Sequence, residues 1–505
     1  MPRIALAITL SLLTAVSAGL SGCGRRAPTA EPSVATGPPR LLIMSSLIGY
    51  VEPCGCTLDL LLGGIDRVAT RVAEERAKGP TAVLLVGSTF FEGPAPTHLL
   101  GQEQAKADLL ARALKQIGVQ AFVPGAGDLT HGAQRFAALA KAANLPNVTL
   151  NQPQGQGALL TLGTVKVGVF GLRDPGNDDL EALLATTTQE AARLRAAGAQ
   201  VVLVLGSVPR RTLRRLARKT DTVDLWVLGD HPSDEEAASP AGSGYLIEAG
   251  DRGRGLGRVL LFGADGPGPL RDPVGDDARL DKTLASQLKM KQRMGLMMKT
   301  PALTASIAKL KAQIAAQAAA PPPDLTGKRF EYRLLPVEKA DTPDPTIEAW
   351  LKAYNDGLKA INLAAAGTVV PVKPGGKHYS GDVECSDCHV EAVDVYAPTA
   401  HARAWQTLVD AGKTFDAGCV GCHVVGWQQP GGTVLGQTKG LENVQCEACH
   451  GPGGRHNETT SEADIKRRVP KAVCETCHNS HHSPKFDYDT YLPKILGPGH
   501  GRPAE

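Results

Sequence analysis

At 505 residues the chain exceeds what one hydrophobic core sustains, since single cores stop growing near about 250–300 residues, so at least two domains are expected. A formal net charge of +3 excludes the broad basic field with which nucleic-acid binders neutralise phosphates, and no nucleic-acid partner is expected. Aromatic residues make up only 4%, thin for packing a large core from side chains alone.

Residues 1–23, MPRIALAITLSLLTAVSAGLSGC, join one early cation, Arg3, to an apolar run too short for a lasting membrane span and close to small residues. They read as an export signal. The end of this segment, Leu20-Ser21-Gly22-Cys23, resembles the bacterial lipobox, which implies lipidation of Cys23 and a chain held on a bacterial membrane, facing the periplasm or cell exterior. Residues 24–39, rich in Pro, Ala and Thr, are expected to be a flexible linker.

Between 40 and 265 short apolar runs alternate with helical periodicity. Strands are expected at 40–44, 82–86, 165–170, 201–205 and 225–228, and helices at 66–77, 103–117, 134–143 and 180–197. This is the pattern of an α/β layered domain. Within it, Glu52-Pro53-Cys54-Gly55-Cys56 places two thiols in one small loop. Outside the cytoplasm Cys54 and Cys56 are expected to form a local, strained and therefore labile disulfide; a redox pair or a thiophilic metal site is the alternative.

Within 266–323, a helical hairpin and linker, residues 276–317 carry helical periodicity that Pro301 divides, and an Ala/Pro break follows at 318–323. Met290, Met294 and Met298 share one helical face and are expected to be a packing stripe rather than soft metal ligands. A connector, 324–376, holds a strand-like segment at 330–336 and a helix at 345–361 with Trp350, Leu351 and Tyr354 on its apolar side. It is expected to pack between the two domains.

Eight of the eleven cysteines fall in the last segment, 377–505, as four motifs of one form. They are Cys385-Ser-Asp-Cys388-His389, Cys419-Val-Gly-Cys422-His423, Cys446-Glu-Ala-Cys449-His450 and Cys474-Glu-Thr-Cys477-His478. Two cysteines three apart reach the two vinyl groups of one haem as thioethers, and the adjacent histidine meets the iron from the same side. Zinc knuckles also use paired C-x-x-C, but they do not explain a histidine after every pair in a chain with only 13 His. The motifs therefore imply four covalently bound c-type haems. No methionine lies in this region, so imidazole is the expected second ligand, with His378, His401, His456, His481, His482 and His500 as the supply.

The stretches TAHARAWQTL (399–408) and VQCEACHGPGGRH (444–456) resemble the tetrahaem cytochromes c that accept electrons from hydroxylamine oxidoreductase. The resemblance spans about 378–485 and implies that His401 and His456 are distal iron ligands. It departs from the family at the adjacent His481 and His482, and the family includes haems with an open sixth position.

The earlier stretches GGIDRVAT (63–70), AVLLVGSTFFEG (82–93), VKVGVFGL (165–172), DLWVLGD (224–230) and EAGDRGRGLGRV (248–259) resemble, in order, the metal-dependent phosphoesterase domain of 5′-nucleotidases. Those enzymes hold two metals at their strand ends with Asp, Asn and His. Here the corresponding positions carry Ser46, Ile48, Ser88, Ala126, Gly127, Asp128, Ser207 and Asp230 or Pro232, with His231 beside the last. The expectation is a degenerate, catalytically silent metallophosphoesterase-like scaffold.

The sequence thus predicts a multidomain chain: a metallophosphoesterase-like α/β domain, a helical connector and a mostly α-helical multihaem cytochrome c domain. The expected function is electron transfer with redox partner proteins. A haem enzyme acting on a small nitrogen or sulfur oxyanion is the alternative, and a metal-dependent phosphoesterase that carries haems is the third reading.

Overall fold

The computed structural model describes residues 36–54, 62–152, 155–176, 179–230, 237–298, 300–479, 482–483, 485–497 and 499–500. Cys23, Cys56, His231 and His481, and the side chain of Cys54, lie outside this description.

Alternation along the strands builds the layers. In β1 (Arg40–Ser45) Leu41 and Ile43 face one core while Leu42 and Met44 face another, because successive side chains leave a strand on opposite sides. Since both faces are covered, the strand reads as a continuous apolar run. After the short pair β2 (Pro53–Cys54) and β3 (Leu62–Gly63) come α1 (Ile65–Lys78), β4 (Thr81–Gly87), α2 (Leu100–Ile117), β5 (Ala121–Pro124) and α3 (Ala133–Ala142). The second half runs β6 (Ala158–Leu162), β7 (Val165–Arg173), α4 (Leu180–Ala196), β8 (Val201–Ser207), α5 (Arg210–Lys219) and β9 (Leu225–Leu228). It ends in β10 (Ser239–Ala241), β11 (Gly244–Glu248) and β12 (Gly255–Phe262).

Two sheets result. The first has the order β13-β12-β1-β4-β5, where β13 is Arg329–Pro336, and the second β10-β11-β9-β8-β7-β6. Their facing sides share one apolar core, including Ile43, Val86, Val167, Leu203 and Val227. A second core lies between the first sheet and α1, α2 and α3, and a third between the second sheet and α4 and α5, where Trp226 is fully buried. The domain is a helix–sheet–sheet–helix sandwich.

The segment at 324–376 is more than a connector. β13 pairs antiparallel with β12 along its whole length and becomes the edge of the first sheet. α8 (Pro345–Ala365), capped by Asp344, buries Ile347, Leu351, Tyr354 and Leu358 against α2 within the second core. Between β12 and β13 stand α6 (Pro273–Met297) and α7 (Pro301–Ala318), each with a capping side chain, Asp272 or Thr300, and proline in the first turn. Here the expected methionine packing stripe is corrected: Met290, Met294 and Met298 stand exposed, and Leu284 and Leu310 are the only buried residues of the two helices among those described. Met290 and Met294 share a helical face, whereas Met298 lies past the end of α6 in extended backbone.

From 377 onward the chain forms short helices of about one or two turns. Its apolar cluster, among the described residues, is small: Leu408, Val420, Val424 and Leu435 are its buried members. No described helix is long and apolar enough to cross a membrane.

Candidate haem sites

Each motif begins in a short helix: Asp382–Ser386, Ala417–Val420, Cys446–His450 and Lys471–Glu475. The turn brings both sulfurs and the following imidazole to one place. In the first motif His389 N donates to Cys385 O at 3.0 Å, and in the fourth His478 N donates to Cys474 O at 2.9 Å. The motifs are themselves paired: Cys385 hydrogen-bonds Cys446, and Cys422 hydrogen-bonds Cys477. The contact with Cys422 pulls the Cys477 thiol below its ordinary range against the opposing effect of burial. Cys449 is pushed up to about 11 by burial and by the neighbouring Cys474 and Cys477. The first motif therefore adjoins the third, the third adjoins the fourth, and the fourth adjoins the second.

The histidines are held in the form a metal needs. Nδ1 of His423 lies 2.5 Å from Ala404 O, that of His450 2.6 Å from Lys466 O, and that of His456 2.9 Å from Ser461 O. A carbonyl only accepts, so Nδ1 carries the proton and Nε2 keeps its lone pair for a metal. Burial also pushes His423 and His478 below the ordinary histidine range, as do burial and the neighbouring His478 for His401, and this favours the neutral ligand form.

Two imidazole pairs come close: the ring centroids of His389 and His456 are 6.2 Å apart with an interplanar angle of 26°, and those of His401 and His478 are 6.0 Å apart with an angle of 51°. Two imidazoles on opposite sides of one metal, each bonded at about 2 Å, have centroids roughly 6 Å apart. The separations of both pairs are of the size that two imidazoles sharing one metal require.

Buried polar side chains fix these positions. Glu447, inside the third motif, accepts hydrogen bonds from Ser380 N, Gly381 N and Gly453 N, while Gln445 accepts from Asp382 N, so the segment leading into the first motif is pinned to the third. Glu447 was not singled out from sequence; its one signal was a carboxylate between two haem-type cysteines.

The strand-end positions of the layered domain also converge. Ser46, Ile48, Ser88, Ala126, Gly127, Ser207 and Asp230 line one cavity of about 640 Å³. Ser207 Oγ donates to Asp230 at 2.5 Å, Ser88 N donates to the same carboxylate at 2.7 Å, and Asp230 N donates to Ser46 Oγ at 2.7 Å. These groups satisfy one another. Ser46, Ile48, Asp230 and Arg252, all on this cavity, have left-handed backbone, which is costly for side chains of these kinds. Asp128, fully buried beneath, accepts from Thr89 N, Phe90 N and Gly125 N, and burial pushes its carboxyl up to about 7. Among the described residues no group of three or more His, Cys, Asp or Glu is placed to hold a metal ion.

The C-terminal region is thus of the c-type cytochrome class, with covalently bound haem, and comparison with known proteins agrees. Residues 384–451 match the family model of cytochrome c554 and c-prime. Over 156 residues the chain is 30% identical to cytochrome c-554 of Nitrosomonas europaea, a match covering 23% of this chain and 66% of that one. Solved structures similar to the larger part of the chain include a 5′-nucleotidase precursor from Thermus thermophilus, with 17% identity, TM-score 0.41 and coverage of 64% of this chain and 59% of that one. The calcineurin-like phosphoesterase YfkN from Bacillus subtilis has 12% identity and TM-score 0.40, with 65% of this chain and 98% of that one covered.

Proposed function

We propose that this chain is a lipid-anchored electron carrier facing the periplasm or cell exterior, with four c-type haems, and that its layered domain is a catalytically silent scaffold. Bound haem iron supplies one-electron cycling between Fe(III) and Fe(II). The residues of the chain do the rest. Each cysteine pair would hold one haem, with His389, His423, His450 and His478 as the adjacent ligands and His456 and His401 as the second imidazoles for the haems of His389 and His478. The adjacency of first to third, third to fourth and fourth to second motif supports a conduit in that order. Two imidazole ligands, with no thioether available in this region, would give a low potential. The observation that carries this reading is the pair of imidazole–imidazole separations, 6.2 Å for His389 with His456 and 6.0 Å for His401 with His478. For the scaffold, the mutually hydrogen-bonded serines at the strand ends support silence.

The test is optical and magnetic. A pyridine haemochrome assay should give four haems per chain, and His401→Ala or His456→Ala should each convert one iron from low to high spin with haem content unchanged. Fully low-spin spectra and unaltered midpoint potentials in both variants would refute the ligand assignment. A high-spin fraction in the unmodified protein that binds cyanide and turns over an oxyanion would favour the enzyme reading. The same preparation, supplied with manganese, should release no phosphate from a nucleotide.

A further inference from the structure

The α6/α7 hairpin has a surface unlike the rest of the molecule. Between Asp281 and Asp324 the sequence holds no acidic residue but seven cations, against a net +3 for the whole chain. Beyond Leu284 α6 continues for about 20 Å, and its main partner among the described elements is α7. At its end Leu296 and Met297 are 86% and 90% exposed, next to the uncovered methionine face, with Lys289, Lys291 and Arg293 in the turns just before them. Scattered exposed apolar residues are ordinary; a projecting apolar tip ringed only by cations is not. A lone apolar tip would suit many partners, but the cations select an anionic one, and their long aliphatic stems let charges stay at headgroup level while the tip goes deeper.

The hairpin is also rooted where the linker enters. Leu261 N, at the end of β12, donates to Pro39 O at 2.9 Å, just before β1 begins. The haem-motif region docks at the other end of the same strands: Gln102, in the first turn of α2, hydrogen-bonds Asp416 at 2.6 Å, and Lys413 pairs with Glu52 in the segment after β1. Hairpin root and linker share one end, and the haem motifs occupy the opposite one.

We propose that the tip of the α6/α7 hairpin inserts into the headgroup layer of an anionic phospholipid bilayer, giving the chain a second membrane contact. This builds on the anchored reading above.

The test uses the full-length lipidated holoprotein on phosphatidylcholine vesicles, with or without about a third of phosphatidylglycerol. Trypsin cleavage after Lys291 and Arg293 is followed by mass spectrometry. Cleavage at the tip should slow about tenfold or more on the anionic vesicles, as expected for several cations each drawn to the surface. High salt, or Leu296→Glu with Met297→Glu, should restore it, with haem absorbance unchanged. Equal rates on the two vesicle types overturn the proposal, as does protection that follows protein concentration without vesicles, which would place a second copy on the tip. Failure to float with phosphatidylcholine vesicles would instead refute lipid anchoring, and leaves the tip to be judged by cleavage on the anionic ones.

Discussion

The two ends of this chain solve the problem of folding by different means. The layered domain has three side-chain cores, with strands buried on both faces and Trp226, Phe122 and Phe170 fully enclosed. The haem-motif region has, among the described residues, one small apolar cluster and depends on turns, on Glu447 and Gln445, and on contacts with α2 and α8. Side chains alone bury too little there to offset chain entropy. The difference teaches that the first region is specified by its sequence and the second by sequence plus cofactor.

The sharpest way to break that comparison is to withhold the cofactor. In protein made without cytochrome maturation, residues 377–500 should be cut by protease about a hundredfold faster or more than in the holoprotein, while the layered domain keeps its protection. Equal protection in both forms would show that the region folds on its own. A smaller effect sharpens the boundary. Gln102 bridges Asp416, Asn362 and the backbone N of Ala417 in a buried node, so Gln102→Ala leaves those partners unsatisfied at a cost of about 1–3 kcal/mol. The haem absorbance and far-ultraviolet transitions should then separate on denaturation; if they still coincide, the node does not couple the two regions. The smallest effect is confined to the layered domain. Because burial raises the Asp128 carboxyl to about 7 in the folded chain from an ordinary 3.8, the stability it contributes is complete below the unfolded value and is lost as pH rises through about 7. Asp128→Asn should flatten that slope between pH 4 and 7 in denaturant titrations; an unchanged slope would place the titration elsewhere.

Legibility followed the same division. Strands expected at 40–44, 82–86 and 201–205 fall inside β1, β4 and β8, and the helices expected at 66–77 and 180–197 match α1 and α4 to within one residue at each end, because burial imposes its period directly on the residues. α5 escaped, since RRTLRRLARK carries its buried face on little more than Leu213, Leu216 and Ala217 among six cations. β11 and β12 were missed as well, being short or glycine-containing strands without a clean alternation. Haem-type motifs were plain because thioether chemistry fixes their spacing. The facing of His389 with His456 was not, since it depends on how two distant loops fold together. The methionine spacing showed a shared face and could not show what lay opposite it.

The placement of Gln102 and Lys413 at one end of the strands, and Pro39 and Leu261 at the other, has a consequence for reach. The six residues of β1 alone separate the two ends by about 20 Å, so the sandwich acts as a pedestal of fixed height. Held on a bilayer by the linker end, it would lift the redox groups clear of the headgroups, within easy range of partners diffusing alongside the membrane and too far for direct exchange with carriers dissolved in its interior.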